Sequence, residues 1–224
     1  MNEVAMRRKL RVFVGGHRSE ILMCAFIALL LISPLADRSP HIGGLLALCL
    51  LLLLLAGASY MSDRAIVRRV VLPIAAVWFF ARLVEALGDG RHFYTHLAPI
   101  AGLVFSCSVL WALLGRFGSI SKVTSSVISE AFITYMIIAI AFSQLYWVLD
   151  HFLDHPFNVV IPLGQSSTYL YYSMVTLTGL AYGGIVPINP YVRLIAALEN
   201  MVGIFYIAVV VARLVSSYRA NVKH

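Results

Sequence analysis

Charge is scarce in this chain. Of its 224 residues only 12% are Asp, Glu, Lys or Arg, while 61% are hydrophobic. A soluble domain carries about twice that charged share, so an ordinary cytosolic enzyme is excluded: there are too few charged side chains to coat so much aliphatic surface. Acidic residues are scarcer still, 10 against 17 basic, for a formal net charge of +7. Such an excess suits nucleic acid when it forms a patch on a soluble face. Here the basic residues sit between apolar segments, so no nucleic-acid partner is expected and lipid is the expected surroundings. Cysteine is nearly absent: Cys24, Cys49 and Cys107 all fall inside apolar runs without metal-ligand spacing, which gives little support to a disulfide framework or a zinc site. A small-residue cleavage site is also lacking after the basic start (Arg7, Arg8, Lys9, Arg11, Arg18), so the first apolar run is expected to stay as a span.

What is present is a series of apolar runs. They cover residues 21–36, 42–58, 70–87, 97–114, 127–149 and 191–214, each near the roughly 20 residues that cross hydrocarbon, the first two being short. The pattern predicts an all-α membrane protein with six transmembrane helices. Between the last two runs, residues 150–190 hold an apolar middle, 168–178, that is too short to cross and reads as a re-entrant element. Thirteen of the 17 basic residues lie in the N-terminal tail, the Arg64/Arg68/Arg69 turn, the Arg116/Lys122 turn and the C-terminal end with Arg213, Arg219 and Lys223. This bias predicts that both termini are cytoplasmic and that the re-entrant piece enters from outside. The expected organisation is a cytoplasmic tail (1–19), a four-helix peripheral unit (20–114), a polar linker with Gly118 (115–126), a second membrane unit (127–218) and a short cytoplasmic tail (219–224), with no soluble module.

The second unit carries the chemistry. In SSTYLYYSMVTLTGLAYGGIVPINPYVRL, residues 166–194, Ser166 and Ser167 are placed to cap a short helix through Thr178, after which glycines force the chain out of helical geometry. Non-helical backbone at membrane depth must line water, ions or protein, and a helix aimed inward presents its negative C-terminal end to a cation. Residues 173–187 align without gaps on S-x-V-T-L-T-T-V-G-Y-G-D-I-V-P, so the chain resembles the pores of bacterial potassium channels. That resemblance covers about a quarter of the sequence. It implies a homotetramer in the bacterial inner membrane, bound by lipid and with no soluble partner. It further implies passive conduction of a monovalent cation, potassium or a less selective set, with no enzymatic activity and no cofactor beyond the permeant ion. The filter residues it implies are Thr178, Gly179, Leu180, Ala181, Tyr182 and Gly183.

Several of these depart from the family pattern. Gly179 stands in place of a Thr whose hydroxyl is a ligand, Leu180 in place of Val, Ala181 in place of the first filter Gly, and Gly184 in place of Asp. An Ala in the left-handed conformation that the family's first Gly adopts costs about 1–2 kcal/mol. A weakly selective pore, or a non-conducting channel-derived membrane protein with a structural or regulatory role, are therefore the alternatives. Tyr171, Tyr172 and Thr176 are candidates for support behind the filter. Glu199, an acid inside the last span, is an anchor between that span and the short helix, a charge near the cavity, or paired locally with Asn200 or a hydroxyl such as that of Thr176. Gly203 is a candidate hinge, or else a close-packing position. Asp150, His151, Asp154 and His155 follow the fifth run at i, i+1, i+4 and i+5, so the two imidazoles share one face and are a candidate metal site or sensor of external pH; solvated turret residues are the default reading. Residues 97–114 contain no Lys or Arg, so the arginine ladder of a voltage sensor is missing, and Arg82 with Glu85 reads as a structural pair.

Overall fold

Apolar composition and a few well-placed prolines divide the chain into seven helices among the described residues. The computed structural model describes residues 18–38, 40–61, 67–87, 92–117, 125–162, 165–180 and 183–222. Helix α1 (Arg18–Ile32) stops where Ser33 and Pro34 follow, and the Ser33 hydroxyl donates to the Leu30 carbonyl at 2.7 Å. A residue ahead of proline is steered away from helical geometry, and a 3-10 turn, Ser33–Arg38, makes the corner. Helix α2 (Pro40–Met61) opens on proline, which is tolerated in a first turn because its missing N–H would have no partner there. Helix α3 (Leu72–Leu87) is preceded by one wide π turn, Val67–Val71. Pro73 has no N–H for the carbonyl four residues back, and the wider turn accommodates its ring. Helix α4 (His92–Phe117) keeps Pro99 inside it, fully buried.

Helices α5 (Ser125–Phe152), α6 (Ser166–Thr178) and α7 (Pro190–Val222) form the second unit. At 1.5 Å per residue α5 and α7 reach about 42 and 50 Å, enough to span a bilayer, and α6 about 20 Å, which is not. Among the described residues two stretches are long and apolar enough to cross a membrane, Val127–Phe152 and Pro190–Arg213; Glu20–Leu35, Ile42–Ala56 and Ala98–Leu113 are apolar but shorter. The helical, strand-poor architecture agrees with the sequence. Its sole bridge among the described residues joins Phe157 and Pro187, where Asn158 N–H donates to Val186 O and Ile188 N–H to Pro156 O, each at 2.9 Å. These bonds pin the chain leaving the α6 turn to the loop that precedes α6.

Two apolar clusters position these helices. The larger joins the peripheral helices to α5 through Phe26, Leu54, Trp78, Phe105, Val109 and Ile137, with the Trp78 and Phe105 rings stacked at 5.3 Å. The second is aromatic and surrounds the first half of α6: Tyr146, Trp147, Phe157, Tyr169 and Tyr172. Arg82 lies over the Trp147 ring at 5.5 Å, a cation–π contact that ties α3 to α5; the Glu85 side chain, its expected partner, lies outside the described residues. The three cysteines are free. The two-histidine face expected beyond residue 150 does not form, because α5 ends at Phe152 and His155 has a left-handed backbone, φ 47°. The His151 ring sits 3.1 Å from the Trp147 carbonyl, and Asp150 accepts a 2.5 Å hydrogen bond from the Tyr169 hydroxyl. Among the described residues no group of three or more His, Cys, Asp or Glu is placed to hold a metal.

Candidate functional site

The site is built on α6 and the turn that ends it. One face of α6 is buried, through Tyr169, Tyr172, Ser173 and Leu177, whereas Tyr171 and Thr178 are exposed. The two tyrosines read together in the sequence therefore separate. Tyr172 packs edge-on against Tyr146 (4.8 Å) and Phe157 (5.1 Å), while Tyr171 faces outward.

Behind α6 stands Glu199, fully buried on α7. Its Oε2 accepts from the Tyr146 hydroxyl of α5 at 2.6 Å, and its Oε1 lies 2.5 Å from Ser173 Oγ of α6. Ser173 Oγ also donates to the Ala139 carbonyl of α5 at 2.7 Å. One carboxyl thus joins three helices, which is how a polar side chain is retained at membrane depth. The sequence had offered Asn200 and Thr176 as local partners for this acid. Those two residues bond to each other instead, Asn200 Nδ2 donating to the Thr176 carbonyl at 2.9 Å.

The last carbonyls of α6 are held by neighbours. Leu177 O accepts from the Tyr135 hydroxyl at 3.1 Å. Gly179 N–H donates to Thr176 O and Leu180 N–H to Val175 O, both at 3.1 Å, with Gly179 at φ 71°. This pair of bonds with a left-handed residue is the Schellman ending that glycine makes easily. The Thr178 hydroxyl turns back to the Met174 carbonyl at 2.8 Å. In sequence terms Gly179 registered as a missing threonine; in the fold it is the residue that lets α6 end. Gly179→Ala is expected to cost about 1 kcal/mol from backbone strain. Its Cβ would also stand 3.0 Å from Asn200 Nδ2 and press on the bond to Thr176. A lowered melting temperature of the purified protein checks this.

Thr178, Gly179, Leu180 and Gly183 are all exposed on the protomer, Leu180 by 56%. Ala181 and Tyr182, the other two expected filter residues, lie outside the described residues. Gly203, the hinge candidate, is buried against the end of α6: a Cβ there would come 2.0 Å from the Leu177 carbonyl oxygen. Sequence reasoning missed Tyr135, Tyr146 and Ser173 as supports. The one signal available was their hydroxyls at membrane depth, which need partners.

No curated protein and no solved structure matches the chain. Residues 122–220, which contain all of α5 and α6, the turn after α6 and nearly all of α7, match the model of a family described as ion channel.

Proposed function

We propose that four copies of this chain surround one axis as a passive cation pore, with the turn after α6 lining the conduit. The observation that carries this reading is the state of α7. Only 11% of its most apolar stretch within Pro190–Arg213 is buried, and Tyr191, Leu194, Leu198, Ile204 and Phe205 are each at least half exposed. A long helix that is bare in the protomer yet fixed on its other face to α6 through Glu199 and Gly203 is suited to packing against copies of itself and to lining a cavity. The turn after α6, of which Thr178, Gly179, Leu180 and Gly183 are exposed, would then supply backbone oxygens to a potassium or similar monovalent ion, with the C-terminal end of α6 favouring positive charge. In this reading the protein sits in a bacterial inner membrane with both termini cytoplasmic, and the peripheral helices have no voltage-sensing role.

A second reading, a non-conducting channel-derived protein, is favoured by one feature. Gly179 takes a left-handed helix cap where the potassium pores have an ion-ligating threonine. Flux separates the two. In liposomes holding purified protein, an imposed potassium gradient is expected to dissipate through wild type, and protein in native membranes is expected to run as a tetramer. Absence of flux at every potential and pH tested, with a tetramer intact, would favour the second reading. Threonine at Gly179 alone would be strained at φ 71°. The informative rescue is therefore replacement of residues 179–184 together by the family's T-V-G-Y-G-D. Conduction gained only then assigns the wild type to the non-conducting class.

A further inference from the structure

The beginning of α6 is capped from far away in the chain. Gln165 occupies the N-cap position, but its side chain caps no backbone N–H of the helix; its Oε1 accepts from the Thr168 hydroxyl at 3.4 Å. The first N–H groups of a helix have no internal partners and carry partial positive charge. Asp37 supplies what is missing. Its carboxylate accepts from the Ser167 N–H at 3.5 Å through Oδ1 and from the Ser167 hydroxyl through Oδ2. Asp37 belongs to the 3-10 turn between α1 and α2, 130 residues earlier. Among the described residues, the other side-chain hydrogen bonds that tie α6 to neighbouring helices run to α5 and α7, through Asp150, Ala139, Glu199, Asn200 and Tyr135. Asp37 therefore gives the peripheral unit its own hold on α6, at the end opposite the turn. The contact also places the α1–α2 corner and the start of α6 at the same end of the molecule, as the distribution of Lys and Arg predicts for two outward-facing segments.

A helix of 13 residues is a short rigid rod. What fixes or moves its first turn is transmitted to its last, where Tyr135, Asn200 and Gly203 meet the filter turn. We propose that Asp37 is a positioning residue for that turn: the α1–α2 corner sets the tilt of α6, and displacement of the peripheral helices reaches the conduit by this route. The functional half of this inference rests on the pore reading; the capping half does not.

The test reads both halves on the full-length protein in lipid nanodiscs and liposomes. In Asp37→Ala, amide hydrogen exchange at Ser167 and its neighbours is expected to quicken by roughly fivefold, the equivalent of one lost cap, with a loss of flux per reconstituted protein. Ser167→Ala should reproduce part of the effect, and the double variant should be no worse than Asp37→Ala, because both remove one contact. Asp37→Asn, which keeps an acceptor oxygen, should lie between wild type and Asp37→Ala and serves if the alanine variant fails to insert. Unchanged exchange at Ser167, effects that add independently in the double variant, or unchanged flux beside altered exchange would each overturn the proposal. If the wild type itself does not conduct, the pore reading fails, and the exchange result alone decides whether the corner holds α6.

Discussion

Gly203→Ala is expected to separate α7 from α6 and to prevent a stable assembly. The added Cβ would lie 2.0 Å from the Leu177 carbonyl oxygen and 3.0 Å from its carbon, far inside contact distance. That oxygen is backbone, in the last turn of α6, and it already accepts the Tyr135 hydroxyl, so no rotamer change relieves the clash. Overpacking costs about 1–3 kcal/mol where side chains can shift, and with a backbone obstacle the upper end, about 3 kcal/mol per subunit, is expected. For a chain of this size that is roughly 6–12 °C of melting temperature, and, if the protein assembles as the pore reading proposes, the purified variant should lose the tetrameric peak in size exclusion. Leu177→Ala should not rescue it, because trimming the side chain removes only the Cδ1 contact at 3.2 Å. A hinge at Gly203 predicts the reverse: intact assembly and thermal stability with altered gating alone. Small residues at helix crossings in membranes serve to bring backbones together, and the geometry here is of that kind.

The difference between those outcomes also marks how far the sequence could be read. Apolar runs separated by basic turns were enough to place the helices, since spanning length and the siting of Lys and Arg are local properties. The short helix 166–178 and the end of it at glycine were legible for the same reason: helix formers give way to Gly179 and Gly183. Contacts across the chain were not legible. Nothing in the local pattern connects Asp37 to Ser167, because an acid in a turn after Pro34 looks like any solvated corner residue. Gly179 was interpretable by alignment as a lost ligand, whereas its backbone angle makes it a cap. The paired histidines failed on one local event: α5 stops at Phe152, and periodicity beyond a helix end carries no meaning.

Glu199 illustrates the same limit, since its burial was legible but its partners were not, and it yields the second large effect. Glu199→Ala removes the acceptor of the Tyr146 hydroxyl, leaving a buried donor that costs about 1–3 kcal/mol, and opens a cavity between three helices. Together these should destabilise the protein by about 3–4 kcal/mol, visible as a lower melting temperature. Glu199→Gln should stay within about 1 kcal/mol of wild type. Ser173 has one hydroxyl proton and two oxygen neighbours, Ala139 O at 2.7 Å and Glu199 Oε1 at 2.5 Å. An amide NH2 placed at Oε1 donates to Ser173, which then donates to Ala139, while the amide oxygen keeps the Tyr146 bond. In that one orientation Tyr146, Ser173 and Ala139 all keep their hydrogen bonds, and the second amide N–H is the one group without a named acceptor. Glu199→Leu fills the volume but orphans the tyrosine, and adding Tyr146→Phe removes the orphan, so the double variant should recover most of what the single one loses. A glutamine variant as damaged as the alanine one would show that the carboxylate's charge, and not this set of hydrogen bonds, holds α5, α6 and α7 together.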